Sequence, residues 1–251
     1  MCQFFSCLVT KTGQVLWDGH TDSHEDLVRV FQPGRDEGET FARVGFLPPG
    51  VGGVFAPSTE WTLALNQRVV PSWWEDQSST LLETLRGLVQ RFQTVPAGGL
   101  ALCGPVIISA GSVEIRAGKC FASGSATVRA YDSATVKAWG SATVEAYDSA
   151  TVRAYDSATV MAHGSATVKA YDSATVEAYD FATVEAYGSA TAEAYNSATV
   201  EAYDIATVRA YGSATVMAHA SATVLAHDSA AVKAYGLATA EAYDFATVKR
   251  F

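Results

Sequence analysis

From Ser125 to Phe251 the chain repeats an eight-residue phrase, Ser-Ala-Thr-Val-x-Ala-Tyr-Asp, sixteen times, the last copy cut short at Phe251. The second position is Ala in all sixteen copies, the third Thr in fifteen and the fourth Val in fourteen. The sixth is Ala in fifteen, failing only at Arg250. A repeat this regular must be one structural unit that stacks on its neighbours.

An α-helix does not accommodate it. Eight residues overshoot two helical turns by about 80°, so no face would persist. The Thr-Val pair and the closing Asp, Gly or Asn also disfavour a long helix. In a strand, with its period of two, Ala, Val and Ala at positions two, four and six share one side, and Ser, Thr, the variable residue and the aromatic share the other. The variable position decides which side is wet. It holds Arg129, Lys137, Glu145, Arg153, Lys169, Glu177, Glu185, Glu193, Glu201, Arg209, Lys233, Glu241 and Lys249, with Met161, Met217 and Leu225 as exceptions. Charges face water, so the Ala-Val-Ala side is the interior. Asp, Gly or Asn at position eight supplies turn chemistry.

One octad buries too little to stand alone. One Val and two Ala return roughly 3–5 kcal/mol, against about 1–2 kcal/mol for ordering each residue. Stacked coils of a mainly β solenoid are therefore expected. Two octads give a flattened coil of 16 residues and three a triangular coil of 24. Gly140, Gly164, Gly188, Gly212 and Gly236 recur every 24 residues, which favours three. Small side chains fill the space between two close sheets better than the centre of a triangle, so two octads are preferred and three are the alternative.

Position seven is aromatic or His throughout, and it holds every tyrosine of the chain: Tyr131, Tyr147, Tyr155, Tyr171, Tyr179, Tyr187, Tyr195, Tyr203, Tyr211, Tyr235 and Tyr243. Trp139, His163, His219, His227 and Phe251 complete the series. Coils would stack these rings into ladders, which either stabilise the rod or mate with another surface. Together with Trp139, the tyrosines form a candidate association surface. Phe245, Lys249, Arg250 and Phe251 form a candidate end contact, either a charged guard against aggregation or a place for another copy to stack.

Residues 1–99 read as a small α+β domain of ββαββα order, and 100–124 as an irregular entry rung to the octads at 125–251. A hairpin is expected from Gln3 to Trp17, turning at Thr12-Gly13. Ser23 and Asp26 resemble the start of a capped helix. Strands are expected at Phe41–Leu47 and Trp61–Leu65, and a helix at about Ser78–Phe92 with Leu81, Leu82, Leu85, Leu88 and Val89 on one face. Ser112-Val113-Glu114-Ile115-Arg116-Ala117 mimics the octad.

Chemistry-bearing motifs are thin. His20 and His24 lie among Asp18, Asp22, Glu25 and Asp26, a cluster that reads as a solvated helix start more readily than as an acid–base or metal site. Cys2, Cys7, Cys103 and Cys120 lack zinc or redox spacing. The expectation is no enzyme, no cofactor and no metal. A net charge of −9 argues against nucleic acid as a partner. No apolar run suits a membrane span, and Met1-Cys2-Gln3-Phe4-Phe5 lacks the features of a secretion signal, so a cytoplasmic protein is expected.

Two resemblances bear on this. The stretches Phe4–Trp17, Ser23–Asp26 and Phe41–Val44, followed by octads, resemble uncharacterised phage, prophage and bacterial octapeptide-repeat proteins. That implies a phage or bacterial setting, with virion association open, and no activity. The outward Ser-x-Thr rows and Tyr ladders resemble ice-nucleation-type β-solenoids, although the charges at position five interrupt the flat surface that ice binding needs. The leading expectation is a self-assembling structural rod forming a homo-oligomer, dimer or filament, with the N-terminal domain a place for a second protein. An ice-binding or polysaccharide-binding surface is the alternative.

Overall fold

The computed structural model describes residues 5–17, 23–34, 39–50, 53–93, 99–101 and 105–251. The chain divides into two compact units, residues 1–95 with 104–107, and residues 96–103 with 108–251.

In the first unit, β1 (Phe5–Thr10) and β2 (Val15–Leu16) form the expected hairpin. Gly13 closes it in the left-handed region at φ 79°, donating its N–H to the Thr10 carbonyl at 2.9 Å. Ser23 caps α1 (His24–Phe31): its Oγ accepts the Asp26 N–H at 3.3 Å, and Glu25 and Asp26 sit at the positive end of the helix. β3 (Phe41–Leu47) pairs antiparallel with β1 and with β4 (Thr62–Leu65), giving the order β2-β1-β3-β4. Leu8, Leu27 and Phe41 pack together beneath α1.

The second helix, α2 (Trp74–Gln93), begins a turn before the expected Ser78. Polar Glu75, Asp76 and Gln77 hide that turn from a hydrophobic pattern. It is anchored instead by the Trp73 indole, which donates to the Glu39 carbonyl at 2.7 Å, and by Trp74 N–H to the Pro71 carbonyl at 3.0 Å. Leu81, Leu85 and Val89 are its buried stripe, while Leu82 and Leu88 are half-buried beside it.

The second unit is a parallel β-solenoid. After β5 (Gly99–Ala101), β6 (Val106–Ile108), β7 (Ser112–Ile115) and β8 (Lys119–Ala122), one strand follows per octad, from β9 (Thr127–Ala130) to β24 (Thr247–Arg250). Odd-numbered strands from β5 to β23 make one sheet, and even-numbered strands up to β24 make the other. Thr135 lies opposite Thr151, and Thr151 opposite Thr167, so two octads make one coil of 16 residues. Earlier coils are tighter: Ser112 faces Thr127 and Gly99 faces Val113. Cys120 and Ala122 occupy the interior slots opposite Val136 and Ala138, a strand with too little Thr-Val character to announce itself.

Inside, Ala, Val and Ala of each octad meet between the sheets. Ala142, Val144 and Ala146 are fully buried, as are their counterparts through Ala226. Each corner is a turn closed by the N–H of position two on the carbonyl of position seven, as in Ala134 to Tyr131 at 3.0 Å. The residue between lies in the left-handed region, Asp132 at φ 51° for example, which selects Asp, Asn and Gly at position eight. Ala220, at φ 54°, is the departure.

The 24-residue glycine spacing therefore has another cause than a three-octad coil. Successive glycines fall on opposite edges of the rod, where each takes the place of one Asp in a column. The N–H groups of Gly140, Gly164, Gly188 and Gly212 donate to the carboxylates of Asp156, Asp180, Asp204 and Asp228 at 3.1, 3.2, 3.0 and 2.9 Å. A glycine every third coil stops a column of aspartates from stacking like charge on like charge at ~4.7 Å.

Candidate functional site

The outer faces of the two sheets carry most of the position-seven rings. On the even sheet Trp139, Tyr155, Tyr171, Tyr187, Tyr203, His219, Tyr235 and Phe251 stack in one ladder, with centroids 4.8–5.4 Å apart. On the odd sheet Tyr131, Tyr147, His163, Tyr179, Tyr195, Tyr211, His227 and Tyr243 do the same at 4.8–5.2 Å. Adjacent planes are within 14° of parallel. The in-register parallel strands impose this spacing, and the rings contribute offset stacking along each column. From Tyr131 to Tyr235 they are half-buried, each packed between neighbours above and below with its outer surface open.

Position five sits beside the ladder and decides what each phenol does. All six octads with Glu there bond the carboxylate to their own tyrosine. The phenols of Tyr147, Tyr179, Tyr187, Tyr195, Tyr203 and Tyr243 donate to Glu145, Glu177, Glu185, Glu193, Glu201 and Glu241 at 2.6–3.0 Å. The bond to Glu201 raises the Tyr203 pKa to about 12, with desolvation adding to it. Tyr187 and Tyr195 are raised further for the same reasons. The three histidines occur in the three octads whose fifth residue is apolar: Met161 with His163, Met217 with His219, Leu225 with His227. An imidazole is shorter than a phenol and carries no donor to the point where the carboxylate would sit.

The coil also sorts the charges. In the octads, the odd face carries Arg129, Glu145, Met161, Glu177, Glu193, Arg209, Leu225 and Glu241, four acids against two bases. The even face carries Lys137, Arg153, Lys169, Glu185, Glu201, Met217, Lys233 and Lys249, five bases against two acids. Ion pairs form along columns at Arg129–Glu145 (3.1 Å), Lys169–Glu185 (2.7 Å) and Arg209–Glu193 (3.0 Å). This sorting is invisible in the linear order, where both signs are interspersed.

At the C-terminal coil, Phe251 stacks on Tyr235 at 4.9 Å and Lys249 Nζ lies 4.8 Å from the Phe251 ring centre. Arg250 holds an interior-parity slot opposite Ala234, and its guanidinium donates to the Ala240 carbonyl of β23 at 3.2 Å. Phe245 is 85% exposed. It is one of four large apolar residues, with Phe181, Ile205 and Leu237, that replace the position-one serine and stand in solvent. The regularity of the octad drew attention away from these four.

The N-terminal cluster is not assembled into a site by what is described. Asp18, His20 and Asp22 lie outside the described residues. His24 Nε2 is 3.1 Å from the Val44 carbonyl, tying α1 to β3, and burial lowers its pKa. Cys7 and Cys120 are buried free thiols, pushed up to about 12 by desolvation, while Cys2 and Cys103 lie outside the described residues. Among the described residues no group of three or more His, Cys, Asp or Glu is placed to hold a metal. No described helix is long and apolar enough to cross a membrane. No protein-family model, curated protein or solved structure matches the chain.

Proposed function

We propose that this protein is a non-catalytic scaffold whose solenoid associates with further copies of itself through the two aromatic ladders. The observation that carries this reading is the pair of continuous ring columns, open along their outer edge over the whole octad array. Aromatic side chains in flat rigid rows present much contact area for little loss of conformational freedom, and position-five charges beside them form a polar rim. The N-terminal unit is then free to engage a second protein. Light scattering over a concentration series tests the reading: the parent protein forms species larger than a monomer, and Tyr155→Ser, Tyr171→Ser and Tyr187→Ser together lower that association at least about tenfold, the effect of losing ~1.4 kcal/mol. A parent that stays monomeric throughout overturns it.

A second reading rests on the threonines. Position-three residues lie in register from coil to coil, as Thr143 opposite Thr159 and Thr159 opposite Thr175, so each face bears a hydroxyl row as well as a ring column. Such rows suit a regular surface such as ice or a polysaccharide. Thermal hysteresis in the parent, lost on replacing the threonines of one face by valine, would favour this reading; its absence removes the ice version.

A further inference from the structure

The ladders are alike on both faces, but the charges beside them are not, and this determines which face can meet which. We propose that copies of the chain stack through unlike faces, the acidic odd face of one against the basic even face of the next, building an open-ended array. This rests on the ladder faces being association surfaces and specifies the partner of each face.

Within one rod the charge sorting is unfavourable. Lys137, Arg153 and Lys169 are neighbours in register on the even face, as are Lys233 and Lys249, and Glu177 lies opposite Glu193 on the odd face. Like charges directly opposite in a sheet are destabilising. Among the described residues neither Arg153 nor Lys233 has a carboxylate partner. Another face of opposite sign would relieve the runs.

The two columns match in detail. Setting each even strand of one copy against the next-numbered odd strand of another brings Lys137 to Glu145, Lys169 to Glu177, Glu201 to Arg209 and Lys233 to Glu241. Met217 then meets Leu225, apolar on apolar. The one like pair, Glu185 with Glu193, consists of carboxylates already bound within their own faces to Lys169 and Arg209.

A two-fold dimer through the even face instead brings Lys249 to Lys137 and Lys233 to Arg153. Like-on-like pairing is thus selected against, and unlike faces generate a heterologous contact that does not close.

Charge reversal on each face tests this. Lys137→Glu, Arg153→Glu and Lys169→Glu together make both faces acidic, while Glu145→Lys, Glu177→Lys and Glu193→Lys make both basic. Light scattering at about 0.05 M salt should show the parent associated and each variant alone monomeric. An equimolar mixture of the two variants should regain association, which a misfolded chain could not do. Raising salt to about 0.5 M should weaken the parent's association at least about tenfold. If a triple variant loses its strand circular dichroism, the single reversals Arg153→Glu and Glu177→Lys serve for the same comparison. A variant that associates alone as well as the parent, or two folded variants that stay monomeric when mixed, overturns unlike-face pairing and leaves the ladder reading standing. A parent that is monomeric at every concentration overturns both.

Discussion

Lys169 donates to Glu185 at 2.7 Å across a single coil, from β14 (Thr167–Ala170) to β16 (Thr183–Ala186). Sixteen residues separate them in the chain, and only a two-octad coil makes them neighbours. An exposed pair of this kind is worth about 0.2–1 kcal/mol. A double-mutant cycle on Lys169→Ala and Glu185→Ala should return a coupling in that range at low salt that fades at high salt. Lys169 with Glu193, the partner a 24-residue coil would supply, should show none.

The Tyr203 phenol, held by Glu201, keeps its proton to about pH 12 when folded, against an ordinary value near 10. A folded-state pKa raised in this way gives stability that is fully present below about pH 10 and is lost as pH rises through about 12. Spectroscopic titration should show the Glu-bonded phenols ionising late. Glu201→Gln should bring the Tyr203 transition back toward its ordinary range and leave the Tyr155 transition where it was.

Ala220 occupies a left-handed corner at φ 54°, where the other octads use Asp, Asn or Gly. That conformation costs an alanine roughly 1 kcal/mol relative to glycine. Ala220→Gly should raise the resistance of this part of the rod to urea by about that amount, and Ala220→Pro should disrupt the coil. A melt unaffected by Ala220→Gly would contradict the corner geometry.

Val168 is fully buried between the sheets. Val168→Ala should cost about 1–2 kcal/mol, two methyl groups lost with partial collapse of the space. Val168→Asp should unravel neighbouring coils, because an unpaired buried carboxylate has no compensating contact. Hydrogen exchange resolved by coil would show both effects centred on the even sheet and its immediate neighbours, as stacking of nearest neighbours requires.

Cys7 and Cys120 should resist thiol reagents in the native protein, since burial holds both near pKa 12, and should react on unfolding. Mass spectrometry of the modified peptides separates them from Cys2 and Cys103.

Much of this architecture is legible in the residues. Alternation fixes that Ala126, Val128 and Ala130 face inward and Arg129 outward, and the charge at position five decides the matter without any knowledge of the coil. Gly13 and Ser23 announce a turn and a cap, because each acts through its own backbone neighbourhood. What escapes is whatever depends on a distance set elsewhere. The glycine spacing points to three octads until the Asp156 carboxylate is seen bonding Gly140; its period belongs to charge spacing along the edges. The first turn of α2 is held by the Trp73 indole on Glu39, a contact between distant segments. The sorting of Lys137, Arg153 and Lys169 onto one face exists only once alternate octads are assigned to alternate sheets.

The central claim is that a two-octad coil sorts opposite charge onto two ladder faces through which copies associate. Two deletions test it most directly. Removing residues 157–172 takes out one full coil and leaves every later octad on its own face. Removing 157–164 sends every later octad to the opposite face and mixes the signs, while keeping the corner chemistry. Light scattering should find the first variant associating like the parent and the second folded but monomeric. Equal association of both would contradict the account.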